Sequence, residues 1–330
     1  MAEVIPQNET EMQATRSIPR SPGIDACRLV MAFLVVTLHS LPVRGSAEFS
    51  IIGMVCRCAV PFFFITSGYF LKIPARFSAM CVVRPLVRLF PIYLFWMIAF
   101  YSVAYISEVH KLQFGVRELL VGGTAFHLWY LPALGVAMVL VPISILKLGA
   151  RVTGLICALL ATVVITRGAY HGVFHMPGSP TRGGFFVAPI YLFIGYWLAK
   201  RRFEPSLSFA ALIALLGFAI LLGEELWISR WLGTRLKDHD FTIGTFAFGA
   251  GVFLFAKELP AGAALERLAA LGKYALGIYV SHLLFIWGLV AAFGSITLAG
   301  MLWRVPVAFV GALMLTAGLQ RTPYLKRMVA

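Results

Sequence analysis

The sequence predicts an all-α fold, a polytopic membrane bundle of about ten transmembrane helices with both termini cytoplasmic, and three observations carry that expectation. Of the 330 residues 60% are hydrophobic and only 13% charged, with a mean hydropathy of +0.87, which is too apolar for a soluble domain of this length. The apolar residues fall into runs long enough to cross a hydrocarbon layer about 30 Å thick. Lys and Arg sit in short groups between those runs and are shared unequally between the two sides. With the N-terminus inside, 17 of the 28 Lys and Arg lie in cytoplasmic segments and 8 in outer ones, leaving Arg28, Arg57 and Arg304 within spans. An even number of spans then returns the C-terminus to the cytoplasm. The net charge of +14 is not a nucleic-acid footprint, because no basic face lies on a polar domain.

Taken in order, residues 1–22 read as a disordered cytoplasmic tail, polar and without the apolar stretch and small-residue cleavage site of a signal peptide. Residues 23–320 form the membrane domain and 321–330 a second cytoplasmic tail. The expected spans lie near 24–43, 49–71, 80–106, 127–147, 152–166, 184–199, 206–223, 241–257, 273–293 and 296–319. In the second, Pro61 breaks the hydrogen-bond ladder and Ser67-Gly68 permits close helix approach. The third opens on a basic cluster, Lys72, Arg76, Arg84 and Arg88, that anionic lipid would attract. His127, Trp129 and Tyr130 stand at the outer end of the fourth, where Trp and Tyr form interfacial belts and their rings suit a sugar face. His171 and His175 read as loop residues, since Gly172, Pro177 and Gly178 disfavour a helix. Asp238, His239 and Asp240, before the eighth span, read as an exposed polar cluster, solvated or touching the acceptor. Cys27, Cys56, Cys58, Cys81 and Cys157 lack metal or redox spacing and read as reduced packing residues.

The first span carries the chemistry. Arg28 and His39 differ by eleven helical steps of about 100°, which returns them to within roughly 20° of one face and separates them by about 16 Å along the axis. Ionisable groups in a span mark functional sites by default. Arg28, Arg57 and Arg304 have almost no carboxylate at comparable depth. Asp25 and the pair Glu224 and Glu225 are the nearest, so a phosphate-bearing ligand is the expected counter-anion, gripped by the bidentate guanidinium fork. Arg28 alone also suits snorkelling to headgroups or pairing with Asp25. His39 can act as a general base toward a hydroxyl, or as a hydrogen-bonded packing residue. His171 and His175 have the i, i+4 spacing of a metal-binding pair, but the loop residues around them disfavour the helix that spacing needs, and no metal is expected.

The chain resembles the acyltransferase-3 family of integral-membrane O-acyltransferases, which acylate bacterial surface polysaccharides. The pair Arg28 to His39 is similar to that family's R-x10-H motif, and Ala59 to Tyr69 (AVPFFFITSGY) to its VPxFFxxSGY. Arg84, Arg88 and Pro91 match RxxxRxxP, His127 to Leu131 matches HLWYL, and Leu271 to His282 resembles LG…SxxIYLxH. Lys273 stands where many members carry Ser, and Val280-Ser281 replaces the usual Leu-hydrophobe before the histidine.

The resemblance implies a plasma (inner) membrane enzyme that moves an acetyl or other short acyl group from acyl-CoA to a hydroxyl of a cell-surface glycan or lipid-linked saccharide. Under that reading His39 and Arg28 are catalytic. Arg28, Arg57, Arg84 and Arg88 hold the coenzyme phosphates, and His127, Trp129, Tyr130 and His282 line the acceptor site, with membrane lipid as the other partner and no metal. The competing reading is a transporter or flippase of a phosphate-bearing lipid or sugar, against which stands the lack of repeats or paired broken spans.

Overall fold

The structure is a computed structural model that describes residues 20–42, 47–107, 123–176, 184–234 and 239–329. Most of the expected N-terminal tail, Asp238, and the outer cations Arg44, Lys111, Arg117, Arg182, Arg235 and Lys237 lie outside the described residues. Among the described residues every regular element is a helix and none is a strand.

Helix α1 (Pro22–Ser40) is capped by Ser21, whose side chain accepts from the Ile24 N–H at 3.4 Å, with Pro22 in the first turn. It ends two residues before Pro42, three short of the expected boundary. The second expected span is divided into α2 (Ala47–Cys56) and α3 (Ala59–Tyr69). Pro61 sits in the first turn of α3, where a missing N–H costs nothing, and the break falls at Arg57 and Cys58, next to the carbonyl its ring would strike. Helix α4 (Met80–Ser107) and a 3-10 segment (Gly123–Trp129) lead into α5 (Tyr130–Arg167). Helix α5 unites the fourth and fifth expected spans. They are separated by a kink at Gly149, whose φ of 81° only glycine adopts readily, while the Thr153 hydroxyl takes up the Gly149 carbonyl at 2.9 Å.

Helices α6 (Gly184–Arg201), α7 (Leu207–Leu232) and α8 (Ile243–Glu258) follow. A short α9 (Ala263–Leu271) and a 3-10 turn (Gly272–Tyr274) then run into α10 (Ala275–Phe293), and α11 (Leu298–Gln320) completes the bundle. Among the described residues each of the ten expected segments is largely helical. Among the described residues seven stretches are long and apolar enough to cross a membrane, including Phe49–Tyr69 and the kinked Ala125–Arg167. The count of ten is therefore approximate. The chain is an integral membrane protein.

Helix α1 is the central element, packed against α3, α8, α9, α10 and α11. Lipid is as apolar as a leucine side chain, so close packing rather than water exclusion must hold such helices together. Small residues provide it. A Cβ on Gly23 would lie 2.0 Å from the Ala256 carbonyl oxygen and one on Gly272 2.1 Å from that of Asp25, so α8 and the 3-10 turn clasp the start of α1. Gly68 meets the α6 backbone at Leu192 in the same way, the close approach expected from Ser67-Gly68. At the C-terminus a turn at Lys326–Met328 docks on α4, with the Trp96 indole N–H donating to the Met328 carbonyl at 2.8 Å.

Candidate active site

Three histidines from distant parts of the chain meet. His39 is the penultimate residue of α1, His282 lies in α10, and His127 in the 3-10 segment. Ring centroids are 5.0 Å apart for His39 and His282, 5.1 Å for His127 and His282, and 6.1 Å for His39 and His127. The Nε2 of His282 is 2.9 Å from the Nδ1 of His39. His282 is fully buried, and its Nδ1 lies 2.6 Å from the Tyr279 carbonyl and 3.2 Å from that of Ile278. His127, also buried, has its Nε2 3.3 Å from the Val280 carbonyl, and its Nδ1 has no hydrogen-bond partner among the described residues.

Sequence geometry explains the meeting. The end of α1 at Ser40 brings His39 to a helix terminus, and a non-helical Ala125 (φ −89°, ψ 52°) bends the 3-10 segment and re-aims His127. Gly277 admits Thr316 of α11 against α10 one turn before Ser281. Aromatic rings wall the cluster. Phe126 stands edge-on to His39 at 5.5 Å and Phe100 edge-on to His127 at 4.8 Å, and the Tyr279 hydroxyl donates to the His127 carbonyl. Among the described residues no group of three or more His, Cys, Asp or Glu is disposed to hold a metal ion.

Arg28 lies on the same helix, at the other end of the face that carries His39. Its guanidinium is 3.1 Å from Asp25, which also accepts from Arg20 at 2.7 Å, and it stands 6.0 Å above the Phe70 ring. Arg28 is partly exposed. Arg84 and Arg88 are exposed near the start of α4 and make no ion pair among the described residues. Tyr130 is buried, 4.5 Å from Phe64 and 5.4 Å from Tyr279, an interior residue rather than part of an exposed belt. Trp129 is half-buried between Phe64 and Phe241.

Two expectations are corrected. The first is that Arg57 and Arg304 need a ligand anion. Arg57 bonds Glu225 at 2.6 Å, lies 3.7 Å from Asp240 and donates to the His239 carbonyl. Glu225, fully buried, is held from its other oxygen by the His239 Nδ1 at 2.9 Å. A protein carboxylate thus supplies the charge. Arg304 instead caps a helix: its fork donates to the carbonyls of Phe293, Gly294 and Ser295 at 2.8–3.2 Å, where the α10 dipole is negative.

The second correction follows from the first. His239 is buried and Asp240 belongs to this ion-pair cluster, so neither is a merely solvated loop residue. The cluster joins residues 168 and 182 positions apart, and no local pattern could have shown it. All five cysteines are unpaired thiols, three buried and two half-buried.

Compared with known proteins, the sequence matches the family described as "Acyltransferase domain" over residues 21–321, nearly the whole chain. Among curated proteins it is 27% identical over 249 residues to an amino-acid racemase of Enterococcus faecalis and 28% identical over 249 residues to a serine/alanine racemase of Enterococcus gallinarum. Each match covers 67% of this chain but 35% of the relative, so the chain spans about a third of their length. No solved structure matches.

Proposed function

The chain belongs to the acyltransferase-3 family, and from that premise we propose that it is a membrane O-acyltransferase in which His39 removes a proton from an acceptor hydroxyl as that oxygen takes an acyl group from acyl-CoA. The observation that carries this reading is the His39–His282 contact at 2.9 Å, inside an aromatic-walled cluster on the helix that also bears Arg28. In the step, the His39 imidazole accepts the hydroxyl proton and the oxygen forms an ester bond with the thioester carbonyl carbon. The carbon–sulfur bond breaks, and the coenzyme thiolate takes the proton back from His39.

The acyl donor approaches from the cytosol. Arg28, Arg84 and Arg88 contact its phosphates, the guanidinium fork gripping phosphate oxygens bidentately. Arg57 is not among them, because Glu225 already neutralises it. The acceptor is a hydroxyl of a saccharide outside the plasma membrane, with the Trp129 ring as a stacking face beside the histidines. The racemase names belong to proteins about three times as long as the matched stretch, and racemase activity is not carried to this chain.

The test is transfer of labelled acetyl from acetyl-CoA by the purified protein in detergent, onto surface glycan from a strain that lacks it. His39→Ala is expected to lower turnover roughly 10²- to 10⁴-fold, the usual contribution of a positioned base, with acetyl-CoA binding retained. Full transfer by both His39→Ala and Arg28→Ala would remove these residues from the reaction. Glycan export that persists in the His39 variant while acetylation stops argues against transport.

A further inference from the structure

We propose that His282 is a positioning residue for His39, fixing the ring tautomer in which the His39 Nε2 carries the lone pair. The inference rests on the reading of His39 as the base. Its premise is geometric. A carbonyl oxygen can only accept, so the 2.6 Å contact of the His282 Nδ1 with the Tyr279 carbonyl requires a proton on that nitrogen. In the neutral ring the Nε2 of His282 is then an acceptor. The partner 2.9 Å away, the Nδ1 of His39, must therefore be the donor. A neutral imidazole carries one proton, and with it on Nδ1 the Nε2 of His39 is left basic. The opposite tautomer would put the proton where the base must act.

The chain of bonds thus starts at a backbone carbonyl of α10, one turn before His282, and ends at the ring of α1 that meets the acceptor. Helix geometry alone sets its first link, since Tyr279 and His282 are three residues apart in α10. His282 takes the place that a carboxylate holds in a Ser-His-Asp triad, orienting the base through its second nitrogen. When the His39 Nε2 gains the acceptor proton, its Nδ1 proton is shared with the His282 Nε2. If that proton crosses, His282 is the imidazolium, with the Tyr279 carbonyl still accepting from Nδ1. The positive charge then lies on the His282 ring, and the proton returns along the same bond when the thiolate is protonated.

The experiment uses the full-length protein in detergent with 15N-labelled histidine, the His39 signals being assigned by difference from His39→Asn. In the wild-type protein His39 is expected as the Nδ1–H tautomer. In His282→Leu it is expected to lose that preference, and kcat for acetyl transfer to fall at least about 100-fold while KM for acetyl-CoA stays within twofold. His282→Gln offers an amide oxygen close to the former Nε2 and is expected to keep the Nδ1–H tautomer and to recover at least about tenfold of that loss.

A purely structural role would lower the yield of folded protein without separating Leu from Gln in kcat. An Nε2–H signal for His39 in the wild type, or unchanged kcat in folded His282→Leu, overturns the proposal. If His282→Leu does not fold, the wild-type tautomer and the kcat of His282→Gln decide: the Nδ1–H signal with kcat retained in Gln supports it, and either result reversed overturns it. The nitrogen signals do not depend on turnover. Transfer with His39 in the other tautomer overturns the pairing alone, whereas the expected tautomer without transfer overturns the acyltransferase reading.

Discussion

Arg57 and Glu225 show what a buried charge demands at the scale of single residues. Glu225 has no exposure, and its two oxygens are taken by Arg57 and His239. Removing one member leaves the other charged in low dielectric, so Glu225→Leu should destabilise the protein by roughly 3–5 kcal/mol. Replacing both, as Arg57→Met with Glu225→Leu, should recover most of that loss, and thermal unfolding in detergent compares them. A double variant as unstable as the single one would mean that the pair is not the source of the cost. Arg304 is a second case. Three carbonyls at the end of α10 share its fork, so Arg304→Met should cost about 1.5–3 kcal/mol, the range for hydrogen bonds to a charged group. Arg304→Lys should recover only part, because one ammonium cannot span the same three oxygens. The sequence marked both arginines as costly, but their partners lie in other helices or past a helix end, and a list of residues does not say which carboxylate or carbonyl arrives.

Element boundaries decide which side chains meet. Helix α1 stops at Ser40, so His39 faces His282 of α10 from a helix terminus. The kink at Gly149 turns one long apolar helix into two expected spans. Gly149→Ala should cost about 1–2 kcal/mol, since a Cβ disfavours positive φ although space is open around it. The same loss read by unfolding, with acetyl transfer unchanged, would place the kink outside the site.

Glu224 links three elements: its carboxylate accepts from the N–H groups of Ile243 and Gly244 at 3.0 and 2.5 Å, capping α8, and from the Tyr170 hydroxyl. Loss of such a cap costs about 0.5–2 kcal/mol, so Glu224→Ala should unfold at a lower temperature while Glu224→Gln keeps part of the cap. Burial, and then the Glu224 contact, raise the Tyr170 hydroxyl above its ordinary pKa. The sign is that of a group whose folded value is raised. Its contribution is complete below the ordinary tyrosine range and is lost as pH rises through the raised value. Tyr170→Phe should therefore flatten the alkaline limb of stability against pH.

At the scale of the whole molecule, α1 is surrounded by α3, α8, α9, α10 and α11, and its first turn is clasped at Gly23 and Gly272. Gly272→Val would drive a side chain into the Asp25 backbone and displace the start of the helix that carries Arg28. Acetyl-CoA affinity should fall more than the turnover of bound donor, a split that binding and single-turnover measurements resolve. The asymmetry of Lys and Arg argues for both termini in the cytoplasm. Reporters fused at residues 1 and 330 should both be shielded from a membrane-impermeant reagent in intact cells, and labelling of one alone would require an odd number of spans.

By itself the sequence determined the membrane class, the helical fold and the shared face of Arg28 and His39, because each follows from composition, period or spacing along one chain, while the family was legible only as a resemblance of its motifs. The ten apolar runs were legible for the same reason, although among the described residues seven stretches meet the length and hydropathy of a span. Tertiary structure alone decided that His282 touches His39, that Glu225 neutralises Arg57 and that Arg304 caps α10. Those contacts join residues up to 243 positions apart. They depend on how helices cross, which small residues at the crossings set and no local pattern encodes.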